Sequence, residues 1–459
     1  MDFINTLKAF LRKAVLFMIG SLLLVGSKGY AADKRGVSPI KNIILISVDT
    51  LRADHLSCYG YGRQTSPSID KFADKSVLFE NNISQAAASL PSYSSIFTSR
   101  YPSQHQAVVD NMGGQNNFIV PLADSEITLA EILKKEGYRT AAFTDGVETA
   151  KIFNINQGFD TYNDDAGGIK DINQRVFSWL QENQDNKFFL FVQAYDPHFP
   201  YLPPEPFRHL FLTDTQIDVE QYANFEEEDL DPKNPDKNDL KNLTALYDGE
   251  IAYTDKHIGE LFLKIDELGL RDNTLVIFVS DHGEELMDHS GLGHGKNVYD
   301  ELIHVPLIIS NEKYFSPKRV KDQVRSIDIA PTVLDVLHIP VPESMLGTSL
   351  VGLMNGKSET ERLAISENEF RSKLSCRSLT YKIIVTHDSS DIEIFNLKND
   401  PGEKKDLHAH TDELPIYEKC LDKMAQWKIL ADDSPLIEKV QNMEFSDQLK
   451  RQLRALGYW

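Results

Sequence analysis

Cysteine is scarce in this chain. Three residues of 459, Cys58, Cys376 and Cys420, show none of the paired spacings that build a zinc or iron–sulfur site. An exported protein could join Cys376 to Cys420 and leave Cys58 free; three unpaired thiols are the alternative. Basic residues are also short, with 48 Lys and Arg against 69 Asp and Glu and a net charge of −21. Such a surface does not bind the phosphates of a nucleic acid. It leaves room for a small anionic substrate, because a metal or a local cation cluster can reverse the field inside one cleft. Membrane-length apolar runs are missing as well. The segment AVLFMIGSLLLVG at 14–26 is too short to span a bilayer comfortably. Internal repeats are absent.

That segment follows Lys8, Arg12 and Lys13 and precedes the small residues Ala31 and Ala32. A charged stretch, a short apolar stretch and small residues form a signal peptide. It is expected to end near Ala32, with export to the periplasm or the outside; an uncleaved anchor is the alternative. No cysteine follows the apolar stretch, which argues against a lipoprotein anchor.

Continuous apolar runs mark strands buried on both faces. NIILISV (42–48), KFFLFVQAY (187–195), TLVIFVS (274–280) and VPLIIS (305–310) have this character. Between them lie helical patterns. TLAEILKKEGY has Thr128 as N-cap and Gly137 at the stop, and the stretch ending at Gly269 places Ile251, Ile258, Phe262, Ile265 and Leu268 on one face. A further helix is expected within 325–343, and the acidic segment 218–242 reads as an exposed loop. Strands alternating with helices imply an α/β fold with a mainly parallel central sheet flanked by helices. Short alternating runs at 379–386 and 392–397, followed by two helical stretches, imply a smaller antiparallel C-terminal subdomain. The expected division is residues 1–32 as signal peptide, 33–350 as catalytic domain and 351–459 as C-terminal subdomain.

In open α/β sheets, chemistry gathers at the carboxyl ends of the strands. Asp49 follows the first strand, and Asp281 and His282 follow the third. One such acid is ordinarily a turn or cap residue. Two sites, one of them Asp-His, suit a shared divalent ion such as Ca²⁺, Mn²⁺ or Zn²⁺. His289, His294 and Lys296 follow in a glycine-rich stretch, and His198 lies within DPHFPY. In SLPSYSSIFTSRYP, Pro91 suits the first turn of a helix. That leaves Ser89 at the positive end of the helix, as its cap or as a nucleophile.

NIILISVDTLRADHLSCYGY, SLPSYSSIFTSRYPSQH, YDPHFPYLPP, LVIFVSDHGEEL, GHGKNVYDELIHVPLII and IFNLKNDPGEKKDL, in this order, resemble the motifs of the sulfatase family. That family belongs to the alkaline-phosphatase-like superfamily of metal-dependent sulfate and phosphate ester hydrolases. The resemblance implies the corresponding fold and a divalent metal, Ca²⁺ first. It implies Asp49, Asp281 and His282 as ligands, Thr50 where many members carry a second Asp, and Ser89 as nucleophile on the metal. It implies His198 and Lys296 as contacts to the ester's anionic oxygens, with His294 beside them or protonating the leaving alcohol. It further implies oxidation of Ser89 to formylglycine by a maturation enzyme, and a sulfate ester of a small molecule or saccharide as substrate. The family's modification motif ends in arginine, where this chain has Tyr93. The alternatives are therefore a phosphate or phosphonate ester hydrolase with unmodified Ser89, and a non-catalytic binding protein on the same fold.

Overall fold

The computed structural model describes residues 40–424 except 112–116, 166, 215–216, 225–235, 358–359, 387–390, 409–418 and 421. The expected signal peptide lies outside these residues, as does most of the expected C-terminal pair of helices.

Eight strands form the central sheet: β1 (Asn42–Val48), β2 (Val77–Ile83), β3 (Arg139–Phe143), β4 (Thr161–Asn163), β5 (Phe188–Ala194), β6 (Thr274–Ser280), β7 (His304–Ser310) and β8 (Lys318–Arg325). Their spatial order is β8-β2-β7-β6-β1-β5-β3-β4. Every pairing is parallel except the two made by β7, which runs against β2 and β6. The α/β reading with a mainly parallel sheet is correct, and all four expected core strands belong to this sheet.

β1 shows why an unbroken apolar run forms a central strand. Ile43 and Leu45 enter one core, and Ile44, Ile46 and Val48 enter the other. Both faces are covered, so alternation with polar residues disappears. Each buried Ile or Val contributes on the order of 1.5–3 kcal/mol. Helices α2 (Ser89–Thr98), α3 (Leu129–Lys135) and α6 (Ile329–Val336) cover the first face. Helices α1 (Pro67–Ala73), α4 (Gly168–Asn183) and α5 (Lys237–Glu267) cover the second. Thr128 caps α3 by accepting the Glu131 N–H, and Gly137 follows with φ +81°.

The acidic segment 218–242 is only partly a loop. Val219–Asn224 forms 3-10 turns, and α5 already begins at Lys237, where the Asp236 carboxylate accepts the Asn238 N–H. The cap outweighs the low helix propensity and exposure of the first turn.

β9 (Ala364–Glu367), β10 (Lys373–Arg377), β11 (Tyr381–Thr386) and β12 (Ile392–Asn396) pair antiparallel in sequence order. A disulfide joins Cys376 on β10 to Cys420, with Cα atoms 5.7 Å apart, and Cys58 is free. Among the described residues, no helix is long and apolar enough to cross a membrane.

Candidate active site

The carboxyl ends of β1, β2, β3, β5 and β6 share one edge of the sheet, and the loops leaving them meet there. Asp49 follows β1, Ser89 opens α2 just beyond β2, Glu148 lies on the loop after β3, His198 on the loop after β5, and Asp281 and His282 follow β6. All six are buried.

Asp49, Asp281 and His282 each offer a ligand atom, all within 4.8 Å of one another. His282 Nδ1 donates to the Gly283 carbonyl at 2.8 Å. That fixes the tautomer and turns the Nε2 lone pair toward the two carboxylates. Asp281 Oδ1 accepts the His282 N–H at 2.9 Å, whereas buried Asp281 Oδ2 has no hydrogen-bond partner. An orphaned buried carboxylate oxygen is costly unless a cation meets it. Burial, then the charges of Asp281, Glu148 and Glu284, push the Asp49 carboxyl well above its usual range. These residues fit a divalent ion: they supply oxygen and imidazole donors and lack its charge. Thr50 is buried beside them at φ +50°, and its hydroxyl also has no hydrogen-bond partner.

Ser89 is not the cap of its helix. Its Oγ lies 3.2 Å from Asp49 Oδ1 and 3.1 Å from His282 Nε2, and makes no capping bond; the N-cap is Ala88. The hydroxyl is turned to the ligand cluster, and the positive end of a ten-residue helix lies at its back. Tyr93, one turn on, is fully buried edge-on to Phe191, with its hydroxyl 3.1 Å from Ser47 Oγ.

His198 stacks on Tyr195 with ring centroids 4.4 Å apart and donates from Nδ1 to the Phe199 carbonyl at 2.7 Å. Burial, reinforced by the neighbouring His294, pushes its pKa down to about 3. It is therefore neutral near pH 7, with Nε2 as a proton acceptor. His294 lies against both His198 and His282, with centroids 4.9 and 4.4 Å away, and its Nδ1 meets Glu284 Oε1 at 2.8 Å. Burial and His282 hold its pKa well below the ordinary value. Lys296, two residues on, is exposed, and its backbone carbonyl accepts from Asn368. His289 is absent from this cluster; it binds Glu301 and the Glu403 carbonyl.

Several supporting residues escaped the sequence reading. Gln193 donates to Asp49 Oδ2 at 3.2 Å and accepts from the Asp145 N–H at 2.8 Å. As a polar residue inside the apolar run of β5, it carried a readable signal. Glu284 orients His294. Arg52 clamps the two loops by donating to Asp288 at 2.7 Å and to the Glu284 carbonyl at 3.1 Å. Glu148 accepts the Leu90 N–H at 2.6 Å and had no distinguishing local pattern.

The sulfatase family model matches residues 41–339, and the model of the N-sulphoglucosamine sulphohydrolase C-terminal region matches 290–429. The chain belongs to the sulfatase family, sulfuric ester hydrolases of alkaline-phosphatase-like fold. It is 26% identical over 487 residues to the ulvan-active sulfatase of Formosa agariphila, covering 97% of this chain and 88% of that one. Among solved structures it resembles BT4656, captured with its substrate D-glucosamine-2-N,6-O-disulfate. That match has a TM-score of 0.67 and 19% identity and covers 87% of this chain and all of the other. The phosphonate monoester hydrolase of Agrobacterium radiobacter matches with a TM-score of 0.68 and 20% identity over 89% and 98% of the two chains. The two solved structures bear on the fold.

Proposed function

We propose that this sulfatase-family protein is an exported, metal-dependent hydrolase of saccharide sulfate esters with Ser89 as nucleophile. The observation that carries the reading is the direction of the Ser89 hydroxyl, toward Asp49 and His282 and away from its own helix. Asp49, Asp281 and His282, with the Thr50 and Ser89 hydroxyls, would hold the ion, and an oxygen-rich set favours Ca²⁺ over Mn²⁺ or Zn²⁺. When bound, the ion would supply positive charge that offsets the charge developing in the reaction. Ser89 supplies the attacking oxygen. Lys296 binds the remaining ester oxygens, where charge develops, and His198 joins it once the incoming anion has drawn a proton onto its Nε2. His294, oriented by Glu284, hands the departing alcohol a proton, balancing the one that the Ser89 hydroxyl gives up as it attacks; its depressed pKa makes it a strong donor once charged. The saccharide substrate is supported by the ulvan-active Formosa relative and by the ligand of BT4656. Export is supported by the N-terminal segment and by the disulfide between Cys376 and Cys420.

The finer reading has Ser89 oxidised to formylglycine by a maturation enzyme; the hydrated aldehyde would supply the attacking hydroxyl and a second hydroxyl to expel sulfate. One observation favours a second reading. Tyr93 fills the position of the motif's arginine and is sealed in the core, so that side chain brings no cation to Ser89. Unmodified Ser89 suits phosphate or phosphonate esters. The intact mass of the peptide spanning Ser89, from protein made in the native host, tests the choice. A mass two hydrogens lower together with reaction with carbonyl reagents supports formylglycine. The unmodified mass in active protein refutes it.

A further inference from the structure

The helix that presents the nucleophile is held at its start from outside. The first turn of an α-helix leaves backbone N–H groups without intrahelical partners. Here the N-cap is Ala88, which has no side-chain acceptor, and Pro91 has no N–H to offer. The Leu90 N–H belongs to the peptide unit that joins it to Ser89, and it donates to Glu148 Oε2 at 2.6 Å. Glu148 comes from the loop after β3, is 5% exposed, and shares with Ser89, Asp49, Tyr195 and His198 the walls of one small cavity.

That loop is tied to the ligand cluster. Gln193 bridges the Asp145 N–H and Asp49 Oδ2. The Asp145 side chain accepts the Gly146 N–H at 2.7 Å and the Gly168 N–H at 2.8 Å. Gly146 stands at φ +90° with the Tyr195 ring against it, where a Cβ would come within 2.6 Å of Tyr195 Cδ2. The loop therefore has little freedom to move without disturbing Asp49 or the Tyr195–His198 stack.

We propose that Glu148 is a positioning residue for the nucleophile: by accepting the Leu90 N–H it fixes the Ser89–Leu90 peptide plane, and with it the direction of Ser89 Oγ toward Asp49 and His282. This rests on the reading of Ser89 as nucleophile. A carboxylate beside Ser89 opposes formation of an alkoxide there, so the benefit of Glu148 is geometric, and an uncharged acceptor of the same shape serves equally. Glu369, from the turn between β9 and β10, faces Glu148. Burial, and then the Glu148 charge, push its carboxyl well above the usual range.

The test compares Glu148→Gln and Glu148→Ala in the metal-loaded full chain, with 4-nitrophenyl sulfate and 4-nitrophenyl phosphate as probes. Hydrogen exchange of the peptide covering 84–98 is followed in parallel. Glu148→Ala is expected to lower kcat by about tenfold or more with KM within about twofold, since an ångström of misplacement is costly to a reacting group. It should also speed exchange in that peptide. Glu148→Gln should recover most of the rate and the protection. An Ala variant with wild-type kcat overturns the proposal, as does a Gln variant with native melting behaviour that is as slow as Ala. If the wild type turns over neither aryl ester, the functional reading is judged on sulfated glucosamine instead. Exchange then decides the anchoring: unchanged protection in the Ala variant contradicts it.

Discussion

Asp281→Asn should reverse its effect on stability according to whether a divalent ion is present. In the metal-free protein the ligand oxygens of Asp49 and Asp281 lie within 4.8 Å of each other. At an effective dielectric of about 20, that separation corresponds to repulsion of about 3.5 kcal/mol. This is an upper bound, because burial and neighbouring charge push the Asp49 carboxyl up and a proton relieves part of the strain. Asparagine removes the repulsion and is nearly isosteric, so the variant should melt higher than wild type in chelator. With ion at about a thousand times its Kd, wild type gains about 4.1 kcal/mol, more than the repulsion that asparagine relieves. Unfolding entropy of about 2.1 cal/mol/K per residue over 459 residues makes that gain a shift of about 4 °C. The variant, short of one ligand charge, should gain far less, so the order of the two melting temperatures inverts on adding Ca²⁺, Mn²⁺ or Zn²⁺. Scanning calorimetry with and without chelator reads this directly. A variant less stable than wild type in both conditions, with no gain by wild type on adding any of the three ions, would refute the assignment.

Lys296→Ala should lower kcat/KM by about a hundredfold, the usual cost of a lost oxyanion contact, and leave melting unchanged because the residue is exposed. Wild-type kinetics would remove Lys296 from the substrate contacts. His289 should confer stability that depends on pH. Both ring nitrogens face acceptors, Glu301 at 2.5 Å and the Glu403 carbonyl at 2.9 Å. Burial opposes its charge, but Glu301 and the carbonyl outweigh burial and hold its pKa above the ordinary value. The contribution is fully present below the unfolded value of about 6.5 and lost as pH rises through the higher folded value. The stability gap between wild type and His289→Gln in urea titrations should therefore narrow as pH climbs above about 6.5; a constant gap would contradict it.

The legible parts of the fold were those whose signal is local. β1, β5 and β6 are unbroken apolar runs and were read to within a residue at each end. β7 was read as a strand, but its reversed direction depends on how the chain returns from His282 to His304, which no local pattern encodes. β2, with Asn81 and Asn82 in its middle, and β8, which begins half-exposed, lack a continuous apolar run. The short polar strands β9 and β10 became visible only through pairing. At the site, Asp49, Asp281 and His282 stood out as acids and imidazole at strand ends, and Ser89 through its proline-led helix and the family motif. Glu148 and Glu284 act across the fold, on Leu90 and His294 respectively. Residues of that kind become functional through tertiary contact, and a chain read in one dimension contains no trace of the contact.

The central claim is that this site cleaves sulfate esters with Ser89 and a divalent ion. It is tested most directly by inorganic sulfate released from sulfated glucosamine by native-host protein, measured against phosphate release from the matching phosphate ester. The account predicts sulfate release that exceeds phosphate release, stops on chelation, returns with Ca²⁺, Mn²⁺ or Zn²⁺, and is absent in Ser89→Ala. Phosphate release exceeding sulfate release, or sulfate release that survives either chelation or Ser89→Ala, would contradict it.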